Sequence, residues 1–295
     1  MTAVISPVDA TRTVGGIRAY GVRVLSAAHV PTPEVDAELL IAHVLGVSRG
    51  QVQAKALTDA PLDTEQAFAV IEAVERRAAR EPLQHITGRA PFRRLELAVG
   101  PGVFVPRPET ESVAQVAIDA LAAVASPEPV AVDLGTGSGA IAISLAVEVP
   151  HARVVAVENS TAAFIWAKQN AAESGADNLR MVFADLAEAL PELDGAVDVV
   201  VSNPPYIPVD AIPRDPEVRL FDPAAALYGG EDGLDVVRDV SRRALALLRS
   251  GGTLVLEHGE LQGESIRDLL AADGWRAPAT HRDLLGRDRT TVALR

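Results

Sequence analysis

The sequence predicts an α/β fold: a doubly wound, mainly parallel sheet preceded by a small helical bundle and a β-hairpin linker. Three observations lead there. From residue 130 onward, short apolar runs alternate with helical patterns, the rhythm of strand–helix–strand units. Residues 33–80 instead space their apolar side chains by about 3.6 residues. Residues 82–105, between these regions, alternate like strands around turn formers. At 295 residues the chain is long enough for two domains, each with its own core.

A first helix opens at Pro33, whose φ is preset for a first turn, and carries Val35, Leu39, Leu40, Ala42 and Val44. Gly46 is placed to end it in a left-handed cap. Residues 64–80 form another helix, with Phe68, Ile71 and Val74 on one face and Glu72, Glu75, Arg76 and Arg77 elsewhere. A helical bundle is the natural packing for such faces. In the linker, Pro82-Leu-Gln-His-Ile-Thr-Gly88 and Phe92-Arg-Arg-Leu-Glu-Leu-Ala-Val99 are expected to pair across a turn at Gly88, and Pro101-Gly102 breaks the second strand. The expected division is thus 1–81, the helical bundle; 82–105, the hairpin linker; and 106–295, the α/β domain.

In the α/β region, strands are expected at 130–134, 154–157, 181–183, 197–201 and 253–256, with helices at 140–149, 160–174 and 233–249. The β-branched tail at 290–294 is expected to be a closing strand.

Composition narrows the function. The chain carries 27 Lys and Arg against 40 Asp and Glu, a net charge of −13. Residues 1–90 hold 9 basic and 10 acidic side chains, whereas residues 91–295 hold 18 and 30. So acidic a second region argues against a generic binder of phosphate backbones. Zero Cys excludes disulfides, thiolate-ligated zinc and thiol catalysis. The opening residues lack the basic start and apolar run of a signal peptide, and no stretch approaches the ~18 apolar residues of a membrane span. A cytoplasmic location without a membrane partner is expected.

Two segments carry chemistry. The first is Val132-Asp-Leu-Gly135-Thr136-Gly137-Ser138-Gly139, after a strand and before a helix. Its glycines let a ligand approach the backbone closely, and the helix start offers amide donors. The spacing is GxGxG, not the GxGxxG of dinucleotide binders. The next strand ends in Glu158, where a carboxylate can accept both hydroxyls of a ribose. The third strand ends near Asp185-Leu186, where a carboxylate can take an adenine amino group. An adenosine-containing cofactor is expected, either NAD or S-adenosylmethionine; no metal is.

The second segment is Asn203-Pro204-Pro205-Tyr206, at the carboxyl end of the fourth strand, where open α/β sheets bind ligands. Its prolines fix φ and donate no hydrogen bond. The Asn203 side-chain oxygen and the Pro204 carbonyl can therefore both face outward as acceptors. A planar NH₂ group is the matching guest, with Tyr206 as a flat wall.

Asn-Pro-Pro-Tyr beside a Gly-rich adenosine site resembles the methyltransferases of amide and exocyclic amino nitrogens. Further segments are Glu81-Pro-Leu-Gln-His-Ile-Thr-Gly88, Phe104-Val-Pro-Arg-Pro-Glu-Thr-Glu111, and Ala226-Leu-Tyr-Gly-Gly-Glu-Asp-Gly-Leu-Asp235. Together these resemble the PrmC/HemK family, the N5-glutamine methyltransferases of class I peptide chain release factors, from about residue 30 to the tail Asp283-Leu-Leu-Gly-Arg-Asp-Arg289. The resemblance implies that residues 1–81 form a substrate-recognition domain and residues 106–295 a Rossmann-like seven-stranded catalytic methyltransferase domain. It implies S-adenosyl-L-methionine as cofactor, S-adenosyl-L-homocysteine as product, and the glutamine of a Gly-Gly-Gln loop as substrate. It places Gly135 to Gly139, Glu158, Asp185, Leu186 and Asn203 on cofactor positions. Asn203, Pro204, Pro205 and Tyr206 fall on catalytic and glutamine-binding positions, with Phe104 packing against the substrate side chain. The implied partner is the release factor, met by a monomer without nucleic acid.

Two departures stand out. Leu186 occupies a position often held by a larger aromatic in relatives, and Glu257-His258-Gly259-Glu260 replaces an expected Glu-Ile-Gly, which points to a structural His258. Three rival functions account for part of the sequence. A DNA adenine-N6 methyltransferase shares the motif but should add a basic groove and a target-recognition insert. An NAD-dependent oxidoreductase leaves Asn203 to Tyr206 without a use. A non-catalytic release-factor-binding module would need no intact site.

Overall fold

Seven strands build the main sheet, in the order β5-β4-β3-β6-β7-β9-β8. They are β3 (Val130–Leu134), β4 (Arg153–Glu158), β5 (Leu179–Phe183), β6 (Val197–Ser202), β7 (Leu248–Glu257), β8 (Arg276–Arg282) and β9 (Asp288–Leu294). Strands β3 to β7 pair in parallel, while β9 runs antiparallel to both its neighbours. The computed structural model describes residues 12–295; the opening residues, read above for their lack of a leader pattern, lie outside them. The sheet lies in a compact unit of residues 89–213 and 222–295, and among the described residues a second unit comprises 12–88 with 214–221.

The buried sheet follows from side-chain alternation. In β4, Val154 and Ala156 face one core and Val155 and Val157 the other; in β6, Val199 and Val201 oppose Val200. Strands apolar on both faces need cover on both sides. Thr110–Ala122 and Ala140–Glu148 cover one face through Val113, Leu121, Ile143 and Leu145. Asp235–Leu247 and Gly263–Ala272 cover the other through Val237, Val240, Leu247, Ile266 and Leu270. The Rossmann-like seven-stranded domain implied by the resemblance is present.

In the helical unit, Val14–Ala27, Pro33–Leu45, Arg49–Leu57 and Thr64–Ala78 pack around Ile17, Leu25, Leu40, Ile41, Val52, Val70 and Val74. Pro33 starts its helix and Gly46 ends it at φ 63°, as the punctuation predicts. Ser48 and Asp63 each form a capping box with a Gln three residues on. The Thr64–Ala78 helix buries Val70, Ala73, Val74 and Arg77, whereas Phe68, expected on the inner face, is 63% exposed. The stripe runs through residues spaced three and four apart, and Phe68 lies off it.

The linker differs from its sequence pattern. Leu83–Thr87 is a short helix, opened by Pro82 and closed by Gly88 at φ 70°. The hairpin pairs β1 (Arg89–Phe92) with β2 (Leu95–Ala98), and Arg93 at φ 53° supplies the turn in place of Gly88. Over five residues, alternation and a single helical turn look alike; a proline at the start and a glycine at the end mark the helix. The side chain of Asn170 bonds both the amide and the carbonyl of Ala98, seating the hairpin on the Thr161–Ser174 helix. Among the described residues no helix is long and apolar enough to cross a membrane.

Candidate active site

Strand order reverses between β3 and β6, since β4 and β5 lie to one side and β7 to the other. A crevice forms beyond the carboxyl ends at such a point, and ligands of open α/β sheets bind there. Ser202 Oγ donates to the Leu134 carbonyl at 2.6 Å, tying the two strand ends together. The Gly-rich loop leaves β3 and Asn203 leaves β6, so the topology juxtaposes the two expected motifs.

All three loop glycines have positive φ: Gly135 77°, Gly137 59° and Gly139 87°. A Cβ on Gly139 would stand 2.8 Å from Ile143 Cδ1, so both conformation and space call for glycine there. The amides of Gly135 and Thr136 both bond the Val157 carbonyl at 2.9 Å, holding the loop on β4. Glu158 accepts the Gly137 amide at 2.8 Å on one oxygen and the Asn159 and Ser160 amides, at 3.0 and 2.8 Å, on the other. Its carboxylate therefore shapes the loop, and the oxygen that holds Gly137 keeps accepting capacity for a ligand hydroxyl.

Thr136 turns inward. Its hydroxyl donates to Asp133 Oδ2 at 2.6 Å, which also takes the Ala142 amide at 3.1 Å. Asp133 is 1% exposed, and burial pushes its pKa up to about 7 against those two bonds. Ser138 is buried, and its carbonyl accepts from Asn170 at 2.9 Å. Leu186 reaches the loop, its Cδ2 lying 3.9 Å from a Cβ placed on Gly135. Asp185 is exposed and accepts the Ala187 amide. A glycine cradle backed by a strand-end carboxylate fits an adenosine-bearing cofactor, with Leu186 as an apolar surface.

The acceptor loop is braced from several sides. The Asn203 Nδ2 donates to Thr110 Oγ1 at 3.4 Å, at the start of the Thr110–Ala122 helix. The Tyr206 carbonyl accepts Gln262 Nε2 at 2.9 Å. Burial and the nearby Glu257 carboxyl raise the Tyr206 phenol pKa far above physiological pH, so the ring stays neutral. Two glycines from the 226–235 segment lie against this backbone: a Cβ on Gly229 would be 2.5 Å from the Pro205 carbonyl oxygen, and one on Gly233 2.4 Å from that of Tyr206. That packing explains the Gly-Gly-Glu-Asp-Gly spacing.

Phe104 precedes Thr110 by six residues on the same loop. The Arg107 guanidinium stacks over its ring at 5.0 Å, and Arg107 pairs with buried Asp222 at 2.6 Å. Burial raises the Asp222 pKa, although Arg107 counters it. Sequence reasoning missed Asp222, Arg107, Thr110 and Glu257. Glu257, alone of these, carried a signal, since like Glu158 it ends an apolar run. His258 is buried, bonding the Gly259 carbonyl through Nδ1 and Thr291 Oγ1 through Nε2, both at 2.9 Å. With both nitrogens occupied in the core, it serves the fold.

Comparison with known proteins agrees. The PrmC N-terminal domain matches residues 17–88 and the methyltransferase small domain residues 94–227. A Streptomyces coelicolor protein named release factor glutamine methyltransferase is 51% identical over 91% of this chain and 93% of its own. A Bifidobacterium longum protein of the same name is 45% identical over 92% and 95%. A Streptomyces pristinaespiralis protein named 4-amino-L-phenylalanine/4-methylamino-L-phenylalanine methyltransferase is 41% identical over 84% and 82%. This chain belongs to the release factor glutamine methyltransferase family.

Proposed function

We propose that the protein methylates the side-chain amide nitrogen of the glutamine in the Gly-Gly-Gln motif of class I release factors, using S-adenosyl-L-methionine. The observation that carries this reading is the Asn203–Tyr206 loop beside the glycine cradle at the switch point of the sheet. When bound, the cofactor supplies an electrophilic methyl group on a sulfonium.

The protein's part is to make a poor nucleophile effective. An amide nitrogen shares its lone pair with its carbonyl. The Asn203 oxygen and the Pro204 carbonyl, both acceptors, hold the two N–H groups and fix where the nitrogen points. Orientation of this kind contributes several of the ~7–11 kcal/mol available to well-placed reacting pairs. The same two acceptors stabilise positive charge as it develops on nitrogen, and the surplus proton leaves to water after transfer, because an N-alkylated amide cation is strongly acidic. Pro204 and Pro205 need no reorganisation, since their φ is already fixed. Tyr206 and Phe104, the latter held by Arg107 and Asp222, supply apolar walls for the glutamine stem. Gly135 to Gly139, Glu158, Asp185 and Leu186 hold the cofactor, with Glu158 on the ribose. The helical unit docks the release factor, and the protein acts as a monomer in the cytoplasm.

The relative named for an aryl amine shares the demand for an NH₂ acceptor, so the acceptor itself must be measured. Incubating the protein with cofactor and release factor should leave a mark of 14 Da (one CH₂) on the Gly-Gly-Gln glutamine, mapped by mass spectrometry. Methylation of 4-aminophenylalanine with none on the release factor would overturn the reading.

A further inference from the structure

Glu257 is a buried carboxyl beside the acceptor loop for which the proposed transfer has no use. It ends β7, the parallel neighbour of β6, with Ser202 registered against Leu256. Asn203 and Glu257 are therefore the next residues outward on adjacent strands. Glu257 is 1% exposed, and its carboxyl is faced by the Thr110 hydroxyl and the Asn203 amide. Asn203 Nδ2 also stands 3.4 Å from Thr110 Oγ1, and Glu257 Oε2 has no hydrogen-bond partner. The wall behind Asn203 thus holds more acceptors than donors.

Once the pH is high enough to ionise it, the Glu257 carboxylate can only accept, and it draws the single Thr110 hydroxyl proton toward itself. The two ends of an asparagine amide have nearly the same shape, so what each end faces decides which turns inward. Against Glu257 and Thr110, the NH₂ end turns inward; the reverse would set oxygen against carboxylate. Oδ1 is then the end presented to the crevice. Only this orientation lets Asn203 accept a hydrogen bond from a substrate NH₂.

We propose that Glu257, with Thr110, is a positioning residue that fixes Asn203 with Oδ1 turned toward the acceptor nitrogen. The proposal rests on the reading of Asn203 as the NH₂ acceptor. It also explains why a carboxylate stands in the core at the end of β7, where an apolar residue would pack at less cost.

Glu257→Gln keeps the shape but offers a donor where only acceptors stood, allowing Asn203 to flip. Its kcat for release-factor methylation should fall by at least roughly tenfold, part of the 10²–10³ expected when a preorganised polar group is lost outright. The dissociation constant for S-adenosylmethionine should stay within about twofold, and the melting temperature should not fall. Thr110→Val should show a smaller loss of the same kind. In the Asn203→Ala background, Glu257→Gln should have no further effect, because the group it orients is gone. A kcat within about twofold of wild type for Glu257→Gln, losses that multiply in the double variant, or loss of cofactor binding in both variants would overturn the positioning role. If Asn203→Ala is itself fully active, the reading of Asn203 falls first and Glu257 with it; an inactive Asn203→Ala beside an active Glu257→Gln removes the positioning role alone.

Discussion

Glu158 and Glu257 hold matching places, each the last residue of a parallel strand, yet they are set up for opposite tasks. Glu158 is satisfied by three backbone amides, of Gly137, Asn159 and Ser160. Removing its carboxylate would leave those donors unpaired and free the Gly loop from its template, as well as deleting the proposed ribose acceptor. Loss of one charged hydrogen-bonded group costs about 1.5–3 kcal/mol, so Glu158→Ala should weaken S-adenosylmethionine binding by roughly 10–100-fold. Titration calorimetry checks this, and an unchanged affinity would remove Glu158 from the cofactor site. Glu257 faces Thr110 and Asn203 and lies within the fields of Glu109, Arg289 and Tyr206, next to buried His258. Burial is the largest influence and lifts its pKa to about 7, against hydrogen bonding and Arg289. A pKa raised on folding favours the native state at low pH, and that advantage is lost as pH rises through the folded value. Glu257→Gln should therefore gain stability over wild type between pH 4.5 and about 7, by on the order of 3 kcal/mol, and hold the gain above it. Asp133, shifted the same way, is common to both proteins and cancels. Melting temperatures across that range decide it. The strand-end position of Glu158 was legible because it follows a glycine loop; Glu257 also ends an apolar run, but its place beside Asn203 needed the β6–β7 register, which no local pattern encodes.

Elements were legible where burial enforces a period and illegible where it does not. Strands β3, β4 and β6 are buried along nearly their whole length, and their apolar runs predict them. Strand β8, Arg-Ala-Pro-Ala-Thr-His-Arg, lies at the sheet edge, largely exposed, with Ala277 at φ 49°. An edge strand needs little apolar pattern and tolerates proline, so nothing in its sequence announced it. The Thr110–Ala122 helix likewise begins without a side-chain cap. The two glycine-bearing connections, by contrast, carry their reasons in their backbones. Gly139 serves the cofactor side, and a methyl there would strike Ile143 at φ 87°. Gly233 serves the acceptor side, and a methyl there would strike the Tyr206 carbonyl at φ 76°. The two substitutions should separate the halves of the site. Gly139→Ala should lower cofactor affinity, while Gly233→Ala should lower kcat with cofactor affinity preserved. Each strained position costs about 1–3 kcal/mol, so both proteins should still fold. Equal loss of cofactor binding in the two variants would contradict the division.

At the scale of the whole molecule, the chain path was the least legible feature, because residues 214–221 belong to the helical unit although they follow Tyr206 in sequence. What holds them there is charge. Glu217 bonds Arg77 at 2.8 Å and Arg80 at 2.6 Å, and Arg77 also bonds Asp36 at 2.7 Å. The side chains of Arg77 and Glu217 are only 7% and 14% exposed, so water screens this network little. Burial by itself would raise the Glu217 pKa, but the bonds from Arg80, its own backbone and Arg77 together hold it below the usual carboxylate value. Glu217→Gln keeps the shape and removes the charge, leaving Arg80 without its carboxylate and Arg77 with the Asp36 carboxylate and the Glu81 carbonyl. Breaking a buried pair costs 3–5 kcal/mol, and a glutamine that still accepts hydrogen bonds should bring this down to about 2–3 kcal/mol. The sign with pH is opposite to that of Glu257. A carboxylate whose pKa is depressed on folding stabilises the native state above its unfolded pKa and loses that contribution as pH falls. The deficit of Glu217→Gln relative to wild type should be full at pH 7 and should shrink as pH falls below about 4.5, where the unfolded wild-type carboxyl takes up a proton first and the folded one follows at lower pH. Calorimetric melting of the full chain measures this as a lowered transition at neutral pH that converges with wild type in acid. If the two proteins melt together at pH 7, the Glu217 network contributes nothing to the hold on residues 214–221.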